Sequence, residues 1–404
     1  MPIREAPAWR WKLNGKGRQM PKVSQRAHEI PPFRVMEVMR AANEREVAKQ
    51  AIYHLEVGQP GTSAPVGALR AAEKALSDQR LGYTDALGLP DLREAVAKRY
   101  LDYYGLIVKP ERIVATTGSS AGFVLAFLAA FDPGDRVALA VPGYPCYRNI
   151  LSVLGIEPVL LPAELSDRFQ PTPKLLDRAR AAGPIDGLIV ASPSNPTGTM
   201  LDTKSFQELA VYCSTHDIRL ISDEIYHGIT YGANADCALS FAQDAVIINS
   251  FSKYFSMTGW RLGWMVIPQD LLRVTESLGQ NLYISAPTLS QIAAVAALNC
   301  SDELDRNVVQ YAHNRELLLD ALPKAGFHSI APADGAFYLY ADVSHMTNDS
   351  DAFCRVLLSK TGVAITPGID FDPYRGDRFV RFSFAGTADT MAAAAAALQN
   401  WRGG

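Results

Sequence analysis

The segment Ala245–Trp264 reads AVIINSFSKYFSMTGWRLGW and joins an apolar run to a cluster of polar and charged residues. Its first five residues are mostly apolar, which predicts a strand buried on both faces of a sheet. Ser250, Ser252 and Lys253 come directly after that strand, and Arg261 follows eight residues beyond the lysine. Because ligands of open α/β sheets bind at the carboxyl ends of the strands, these four side chains predict a functional site at the sheet edge.

The chemistry of these side chains indicates an amine that attacks an aldehyde beside a phosphate. A lysine at a sheet edge is partly desolvated, which favours its neutral, nucleophilic amine. Two hydroxyls and a guanidinium suit a phosphate dianion, since Arg261 can form paired, charge-assisted hydrogen bonds. An isolated lysine would be interpreted as a solvated loop residue, but the joint spacing of Ser, Ser, Lys and Arg favours a site.

Apolar, β-rich runs alternate with helix-length segments through the middle of the chain. The strand candidates are Arg112–Thr117, Arg136–Val141, Pro158–Leu161, Gly187–Ala191, Arg219–Ser222, Ala245–Asn249 and Leu262–Ile267. The helix candidates between them include Ser119–Phe131, Tyr144–Leu154, Pro173–Ala182 and Thr203–His216. This alternation predicts an α/β fold in which helices cover both faces of a mostly parallel sheet.

The sequence changes in character after about residue 290, where long helical patterns precede short strands and a closing helix. These patterns are Leu289–Asn299, Asp302–Leu322, strands around Ala336–Tyr340, Val363–Ile365 and Phe379–Ser383, and a helix from about Ala388 to Trp401. They predict a second, smaller α+β domain. The predicted boundaries are an N-terminal arm or tail at 1–30, a first part of the small domain at 31–60, a large domain at 61–290, and the rest of the small domain at 291–404.

The composition excludes several classes of protein. Of the 404 residues, 48% are hydrophobic and 20% are charged, which is typical of a globular chain. The formal net charge of −3 gives no electrostatic basis for binding nucleic acid, and no apolar run approaches the ~20 residues that span a bilayer. The five cysteines are widely spaced and show no metal-ligand pattern, which favours reduced thiols in a cytoplasmic protein without a metal.

The first 26 residues differ from the rest, with seven Lys or Arg against a single acidic residue, Glu5. They lack the apolar core of a secretion signal. Two interpretations remain open: an arm that docks on a partner subunit, or a tail, with Met20 as an alternative start.

The lysine segment resembles the signature of the class I/II, fold-type I aminotransferases, which depend on pyridoxal 5′-phosphate (PLP). The similarity extends from about Pro31 onward, with the motifs in the family's order. It implies the PLP-dependent transferase fold, with a mostly parallel seven-stranded sheet in a large domain and a smaller α+β domain. It also implies that Lys253 holds PLP as an internal aldimine and that Ser250, Ser252 and Arg261 contact the cofactor.

Three further residues match family positions around the cofactor ring. Asp223, in ISDEIY, matches the carboxylate that keeps the pyridine nitrogen protonated, and Tyr226 matches the tyrosine that hydrogen-bonds the phenolic oxygen. Asn195, in SPSNPTG, matches the asparagine that donates to the same oxygen and lies near the substrate. Taken singly, these residues would be interpreted as turn or cap residues. Their joint occurrence favours the catalytic and cofactor-binding roles.

Other motifs match the remaining contacts of the cofactor. In TTGSSAG, Ser119 and Ser120 begin a predicted helix, whose N-terminus can bind the phosphate. Tyr144, in VPGYPCY, matches the residue that stacks on the ring. Tyr83, in GYTDALG, matches the tyrosine that reaches the phosphate of the neighbouring subunit, which implies a homodimer.

Two residues match contacts to the substrate. Arg381, in RFVRFSFA, matches the arginine that clamps the α-carboxylate through two hydrogen bonds, whereas Arg378 would face the opposite way by strand alternation. Gly58, in LEVGQPG, matches the glycine that lies over the substrate. Gly61 and Thr62 depart from the family pattern, which has an acidic and an aromatic residue there, so the substrate contacts on this side stay undefined.

These matches imply a ping-pong aminotransferase of amino acid metabolism. It would move an amino group from an L-amino acid to a 2-oxo acid, with Lys253 as general base and acid. The alternatives are a PLP-dependent lyase or synthase of the β-elimination type and a non-catalytic regulator on the same fold. The substrates stay open, although the absence of Arg and Lys from Asn281–Thr288 disfavours a strict aspartate enzyme.

Overall fold

The computed structural model describes residues 24–78 and 80–401. The chain forms two compact units, of which the first ends at Pro31. In that first unit the described residues contain one short helix, whose N-terminus is capped by the Ser24 side chain accepting from the N–H of Ala27. The two interpretations of the basic residues 1–26 fall largely outside the described residues and stay predictions.

Helices and strands alternate through the second unit, as the sequence predicts. Numbered along the whole chain, the helices are α1 (Gln25–Glu29), α2 (Arg34–Val47), α3 (Val66–Asp78), α4 (Pro90–Tyr104), α5 (Ser119–Ala130), α6 (Pro145–Leu154), α7 (Pro173–Arg180), α8 (Thr203–Thr215), α9 (Gln269–Leu282), α10 (Thr288–Ala297), α11 (Ser301–Lys324), α12 (Ser350–Thr361) and α13 (Ala388–Asn400). The strands are β1 (Tyr53–His54), β2 (Ile113–Thr116), β3 (Arg136–Val141), β4 (Glu157–Pro162), β5 (Gly187–Ala191), β6 (Arg219–Asp223), β7 (Val246–Ser250), β8 (Gly263–Val266), β9 (Ser329–Ile330), β10 (Tyr338–Asp342), β11 (Val363–Ala364), β12 (Thr366–Pro367) and β13 (Phe379–Ser383).

A seven-stranded sheet lies at the centre of this unit, in the strand order β2-β8-β7-β6-β5-β3-β4. The pairs from β4 to β7 are parallel, whereas β8 is antiparallel to both β2 and β7. Strands such as β7 are buried at every residue, which explains why they are apolar throughout rather than alternating. The predicted α/β fold with a mostly parallel sheet is confirmed.

Helices cover the sheet because their apolar faces need a surface on which to pack. In α5, Phe123 and Phe127 are buried and belong to one apolar cluster with residues of the central strands. Polar side chains start other helices: Thr172 caps α7 and Asp202 caps α8, each accepting a hydrogen bond from a backbone N–H three residues on. None of the described helices is long and apolar enough to cross a membrane.

The C-terminal part of the chain builds smaller sheets. β12, β13, β10 and β9 form an antiparallel sheet in that order, and β1 pairs with β11 in parallel. The pairing of Tyr53 with Val363 brings the segment before residue 60 next to the C-terminal strands. This contact agrees with the predicted rejoining of these segments, while the domain boundaries at 60 and 290 stay a prediction.

Some expectations about local structure are wrong. Arg378 was expected on a strand, but it ends a short 3-10 turn, Gly376–Arg378, before β13 begins at Phe379. Its separation from Arg381 therefore comes from the turn and not from strand alternation. The predicted strand Val363–Ile365 is shorter, as β11 ends at Ala364, and a separate strand, β12, follows at Thr366–Pro367 and pairs with a different partner.

Candidate active site

One cavity at the carboxyl edge of the central sheet collects most of the predicted site residues. Its empty space, including the open mouth, amounts to about 890 Å³. The predicted residues that line it are Gly58, Ser119, Ser120, Tyr144, Asn195, Asp223, Tyr226, Ser252, Lys253, Arg261 and Arg381. They come together because β2, β3, β5, β6 and β7 all end at this edge, as open parallel sheets require.

Lys253 lies where its amine faces the cavity and is otherwise surrounded by protein. Its Nζ donates to the backbone carbonyl of Gly58 at 2.7 Å. Burial lowers the pKa of the amine to about 8, helped by the positive charges of Arg381 and Arg261 and opposed by Asp223. At pH 7 roughly a tenth of the amine is therefore neutral and nucleophilic, far more than for an exposed lysine.

Asp223 ends β6 and is held by two hydrogen bonds. Its carboxylate accepts from the hydroxyl of Tyr147 and, at 3.0 Å, from the N–H of Ile225. Burial raises the pKa of Asp223 to about 6, while these two hydrogen bonds and the charge of Lys253 act in the opposite direction. No motif indicated Tyr147, although it lies three residues after Tyr144, which directly precedes α6.

Arg381 lies on β13 with only 3% of its surface exposed. One terminal nitrogen donates to Asn195 Oδ1 at 2.8 Å, and the other donates to the carbonyl of Glu56 and to Thr366 Oγ1 at 3.2 Å. Its Nε–H has no acceptor among the described residues. A buried guanidinium donor without a partner is costly, and a ligand carboxylate would satisfy it.

Another part of the cavity has the properties of an anion site. Gly118 precedes α5 with φ of +85°, and a β-carbon there would lie 2.5 Å from Nη2 of Arg261. No side chain caps α5, so the first N–H groups beside Ser119 and Ser120 lack a side-chain acceptor. Arg261 donates to the carbonyl of Thr258 at 2.9 Å through its other terminal nitrogen. A helix N-terminus beside a guanidinium favours a phosphate.

Two predicted residues do not line the cavity. The hydroxyl of Ser250 is buried beneath it, donating to the carbonyl of Leu262 at 3.1 Å, and its oxygen lies 2.8 Å from Ser252 Oγ, from which it can accept. Ser250 therefore positions Ser252 in this structure. Tyr83 lies on the surface with 84% exposure, and its predicted contact with a partner subunit stays a prediction.

The first turn of α2 forms an apolar wall of the cavity that the sequence analysis did not identify. Phe33, Val35 and Met36 all line the cavity. Asp370, from a segment 336 residues away, holds this turn by accepting from the backbone N–H of Arg34 and of Val35, both at 3.0 Å. Because this cap comes from elsewhere in the chain, no capping motif before α2 could have revealed it.

The cavity residues fit PLP, the cofactor that the family resemblance and the fold imply. The amine of Lys253, the carboxylate of Asp223 and the residues of the anion site all line this one cavity. Among residues 24–78 and 80–401, no group of three or more His, Cys, Asp or Glu side chains could hold a metal ion. Which side chain makes which contact with the cofactor stays a prediction.

Glu224, next to Asp223, is fully buried outside the cavity lining. Its Oε1 accepts from the N–H of Ala238 at 2.9 Å and from Ser222 Oγ at 3.3 Å, whereas Oε2 has no hydrogen-bond partner among the described residues. Burial raises the pKa of Glu224 to about 8. The side chain is therefore mainly a neutral acid in the folded protein at pH 7.

Replacing Glu224 with glutamine is expected to change how the free energy of unfolding depends on pH. Because the pKa of Glu224 is raised in the folded state, the stability that its protonated form contributes is fully present below about pH 4.5. That contribution is lost progressively as the pH rises to about 8. The variant cannot ionise at this position, so it should gain stability relative to wild type between pH 5 and pH 8. Urea unfolding of the apoprotein at pH 5 and at pH 8 measures the free energy of unfolding of each protein. Glu208→Gln, on the surface of α8, is the control, and parallel curves for all three proteins would contradict the prediction.

Known proteins resemble this chain over most of its length. The family model described as aminotransferase class I and II matches residues 52–398. The valine–pyruvate aminotransferase of Mycobacterium tuberculosis is 51% identical over 376 residues, which cover 92% of this chain and 96% of that protein. A crystal structure of an aminotransferase from Mycobacterium tuberculosis has a TM-score of 0.92 at 50% identity, covering 94% of this chain and 99% of that one. Aspartate aminotransferase from Thermus thermophilus, solved with maleate, has a TM-score of 0.89 at 29% identity, covering 94% and 100%.

Proposed function

This chain belongs to the class I and II aminotransferases, and from its cavity we propose which residues bind the cofactor and which amino acids it accepts. It is an enzyme that moves an amino group from an amino acid to a 2-oxo acid. The family and the fold imply PLP. The roles of single residues, the substrate and the assembly form the proposal.

We assign the cofactor contacts from the position of each side chain. Lys253 forms the covalent bond to the cofactor, and Asp223 keeps the ring nitrogen protonated. Tyr226 and Asn195 donate to the phenolic oxygen, and Tyr144 packs on the ring. The residues proposed to bind the phosphate are Ser119, Ser120, Ser252 and Arg261, with Ser250 supporting Ser252 and the partner's Tyr83 completing the site.

The reaction needs a base at the substrate Cα, and the lowered pKa of Lys253 is the observation that supports this role best. When bound, PLP supplies an electron sink for the charge that develops at that carbon. Arg381 holds the α-carboxylate and so fixes the direction of the Cα–H bond beneath Gly58. The neutral amine of Lys253 then accepts the proton from Cα and later donates it back on the product side.

Alternate addition of an amino acid and a 2-oxo acid to the holoenzyme tests this function. Valine is expected to convert the absorption band of the bound cofactor completely, and pyruvate is expected to restore it. A β-elimination enzyme would release its product without needing the 2-oxo acid to recover the band. Failure of pyruvate to restore the band would contradict ping-pong transamination.

An aliphatic amino acid is the proposed amino donor. The wall formed by Phe33, Val35 and Met36 is apolar, and the cations among the described lining residues, Lys253, Arg261 and Arg381, already have proposed roles. No further cation is therefore left there for the distal carboxylate of aspartate. A relative 51% identical is named valine–pyruvate aminotransferase, which supports valine as donor and pyruvate as acceptor.

With pyruvate fixed as acceptor, valine is expected to exceed aspartate in kcat/KM. Placing the unpaired carboxylate of aspartate against the apolar wall of the cavity costs at least about 2.7 kcal/mol. This cost corresponds to a kcat/KM for aspartate ~10²-fold below that for valine. Steady-state kinetics with valine, leucine and aspartate measure this order. The uncharged isostere asparagine is the control for side-chain size. Equal values for valine and aspartate would overturn the aliphatic assignment.

A homodimer is the proposed assembly, and the cytoplasm the proposed location. Tyr83 and Leu81 are exposed, as are Leu282 and Ile284, and the N–H of Thr84 donates to Ser285 Oγ, which brings these two stretches of chain together. The backbone beside Tyr83 is held by Thr288 Oγ1, which donates to the carbonyl of Gly82 at 2.5 Å. An exposed apolar patch beside a residue matched to a partner's site supports assembly. The five cysteines form no disulfide, in agreement with a reducing compartment.

A further inference from the structure

We propose that Tyr338 is a positioning residue that joins the cofactor side of the site to the substrate side: its hydroxyl orients Tyr226, and its ring supports Arg381. The inference rests on the proposed function and adds a residue that no motif indicated. Tyr338 begins β10, lines the cavity and is almost completely buried.

The first contact joins two buried hydroxyls. The hydroxyl oxygens of Tyr226 and Tyr338 lie 2.7 Å apart, and the Tyr226 hydroxyl has no other hydrogen bond among the described residues. If Tyr338 donates, the oxygen of Tyr226 accepts and its own proton stays available for an acceptor in the cavity. The phenolic oxygen of the cofactor is the acceptor that the proposed function places there.

The direction of this hydrogen bond follows from the charge nearby. Burial raises the pKa of both hydroxyls. For Tyr338, the charge of Arg381 is the next cause, and it lowers the pKa, as does the bond to Tyr226. For Tyr226, the neighbouring Tyr338 and the bond to it raise the pKa, and both outweigh the lowering by the charge of Arg381. Tyr338 is therefore the better donor, and the chain of hydroxyls points into the cavity.

The second contact supports the arginine. The Arg381 guanidinium carbon lies 4.4 Å from the centroid of the Tyr338 ring and 4.7 Å from that of Phe371. Two aromatic rings thus hold the guanidinium, and cation–π attraction is strong where water is excluded. Since Arg381 has 3% exposure, this packing fixes the orientation of its free Nε–H.

The third contact explains why position 58 is glycine. A β-carbon on Gly58 would lie 1.7 Å from the Tyr338 hydroxyl, so any side chain there would displace that group. The carbonyl of Gly58 accepts from Lys253 Nζ at 2.7 Å. The hydroxyl of Tyr338 therefore occupies space directly beside the backbone that holds the lysine.

Two variants separate the two roles of Tyr338. Tyr338→Phe removes the hydroxyl and keeps the ring, whereas Tyr338→Leu removes both. Tyr340→Phe is the matched control, because Tyr340 lies two residues on along β10, is buried, and has a hydroxyl without a hydrogen-bond partner among the described residues. Its ring stacks on Phe379, outside the cavity lining.

The readouts are the pH at which the bound cofactor changes its absorption and the affinity of the holoenzyme for 3-methylbutanoate, a carboxylate that cannot react. In Tyr338→Phe, the midpoint pH of the colour change should rise by about 0.5, a roughly threefold change in the protonation equilibrium, with carboxylate affinity within twofold of wild type. In Tyr338→Leu, the affinity should also fall about tenfold, the effect of losing a desolvated cation–π contact. Tyr340→Phe should change neither.

The outcomes distinguish this inference from the proposed function. A wild-type protein that binds no PLP would overturn the proposed function and this inference with it. If wild type binds PLP but Tyr338→Phe has the same midpoint as Tyr340→Phe, Tyr338 does not orient Tyr226. Unchanged carboxylate affinity in Tyr338→Leu would overturn the support of Arg381. Should the leucine variant fail to fold, the phenylalanine variant still decides the hydroxyl's role.

Discussion

Replacing Lys253 with alanine is expected to lower kcat for transamination by at least about 10⁴-fold, the upper end of what a positioned acid–base group contributes. The variant loses both the amine that bonds to the cofactor and the base that moves the Cα proton. Borohydride reduction followed by mass spectrometry should find cofactor attached at Lys253 in wild type and at no position in the variant. The expected loss is large because no other lysine lines the cavity among the described residues.

The control for this prediction is Lys98→Ala, on α4, whose side chain is 69% exposed and pairs with Asp102 at the surface. It should retain wild-type kcat. A small primary amine added to the medium should partly restore proton transfer to Lys253→Ala, since the cavity opens to solvent. Turnover by Lys253→Ala within tenfold of wild type would rule out the assigned base.

Replacing Arg381 with lysine is expected to lower kcat/KM for the amino donor by about 10²–10³-fold, although the charge is kept. A single ammonium cannot reproduce the planar fork of donors, and each lost charge-assisted hydrogen bond is worth roughly 1.5–3 kcal/mol. The change should also release Asn195, whose Oδ1 accepts from Arg381 at 2.8 Å. The absorption band of the bound cofactor should remain, because Lys253 and Asp223 are unchanged.

Arg378→Lys provides the matched control, since it makes the same change three residues earlier on an exposed side chain. Steady-state kinetics should give wild-type values for that variant. If Arg381→Lys and Arg378→Lys behaved alike, the α-carboxylate would bind elsewhere in the cavity.

Most of the candidate site could be predicted from sequence because its residues follow strand ends. Asp223 ends β6, Ser119 follows β2, Tyr144 follows β3, and Lys253 follows β7. Parallel strands buried on both faces are recognisable as continuous apolar runs, and their carboxyl ends meet at one edge. Recognising these apolar runs was therefore enough to predict that the four side chains lie close together.

Other contacts could not be predicted, because they join segments that no local pattern relates. Asp370 caps a helix 336 residues away. The prediction that Arg378 lies on a strand is wrong because a short turn precedes β13. The alternation of side chains does not show where such a turn ends and the strand begins. Tyr147 is an intermediate case, since its spacing from Tyr144 was visible but its hydrogen bond to Asp223 was not.

The amino-acid order alone thus specified the central sheet, its helices and the polar groups at its edge, because hydrophobic periodicity and turn residues act over a few positions. Folding in three dimensions decided how the C-terminal sheet meets that edge. Only there do Arg381, Asn195 and Glu56 converge, and only there does the hydroxyl of Tyr338 leave no room for a side chain at Gly58. Such contacts depend on the packing of remote segments at near-crystalline density, which no local pattern encodes.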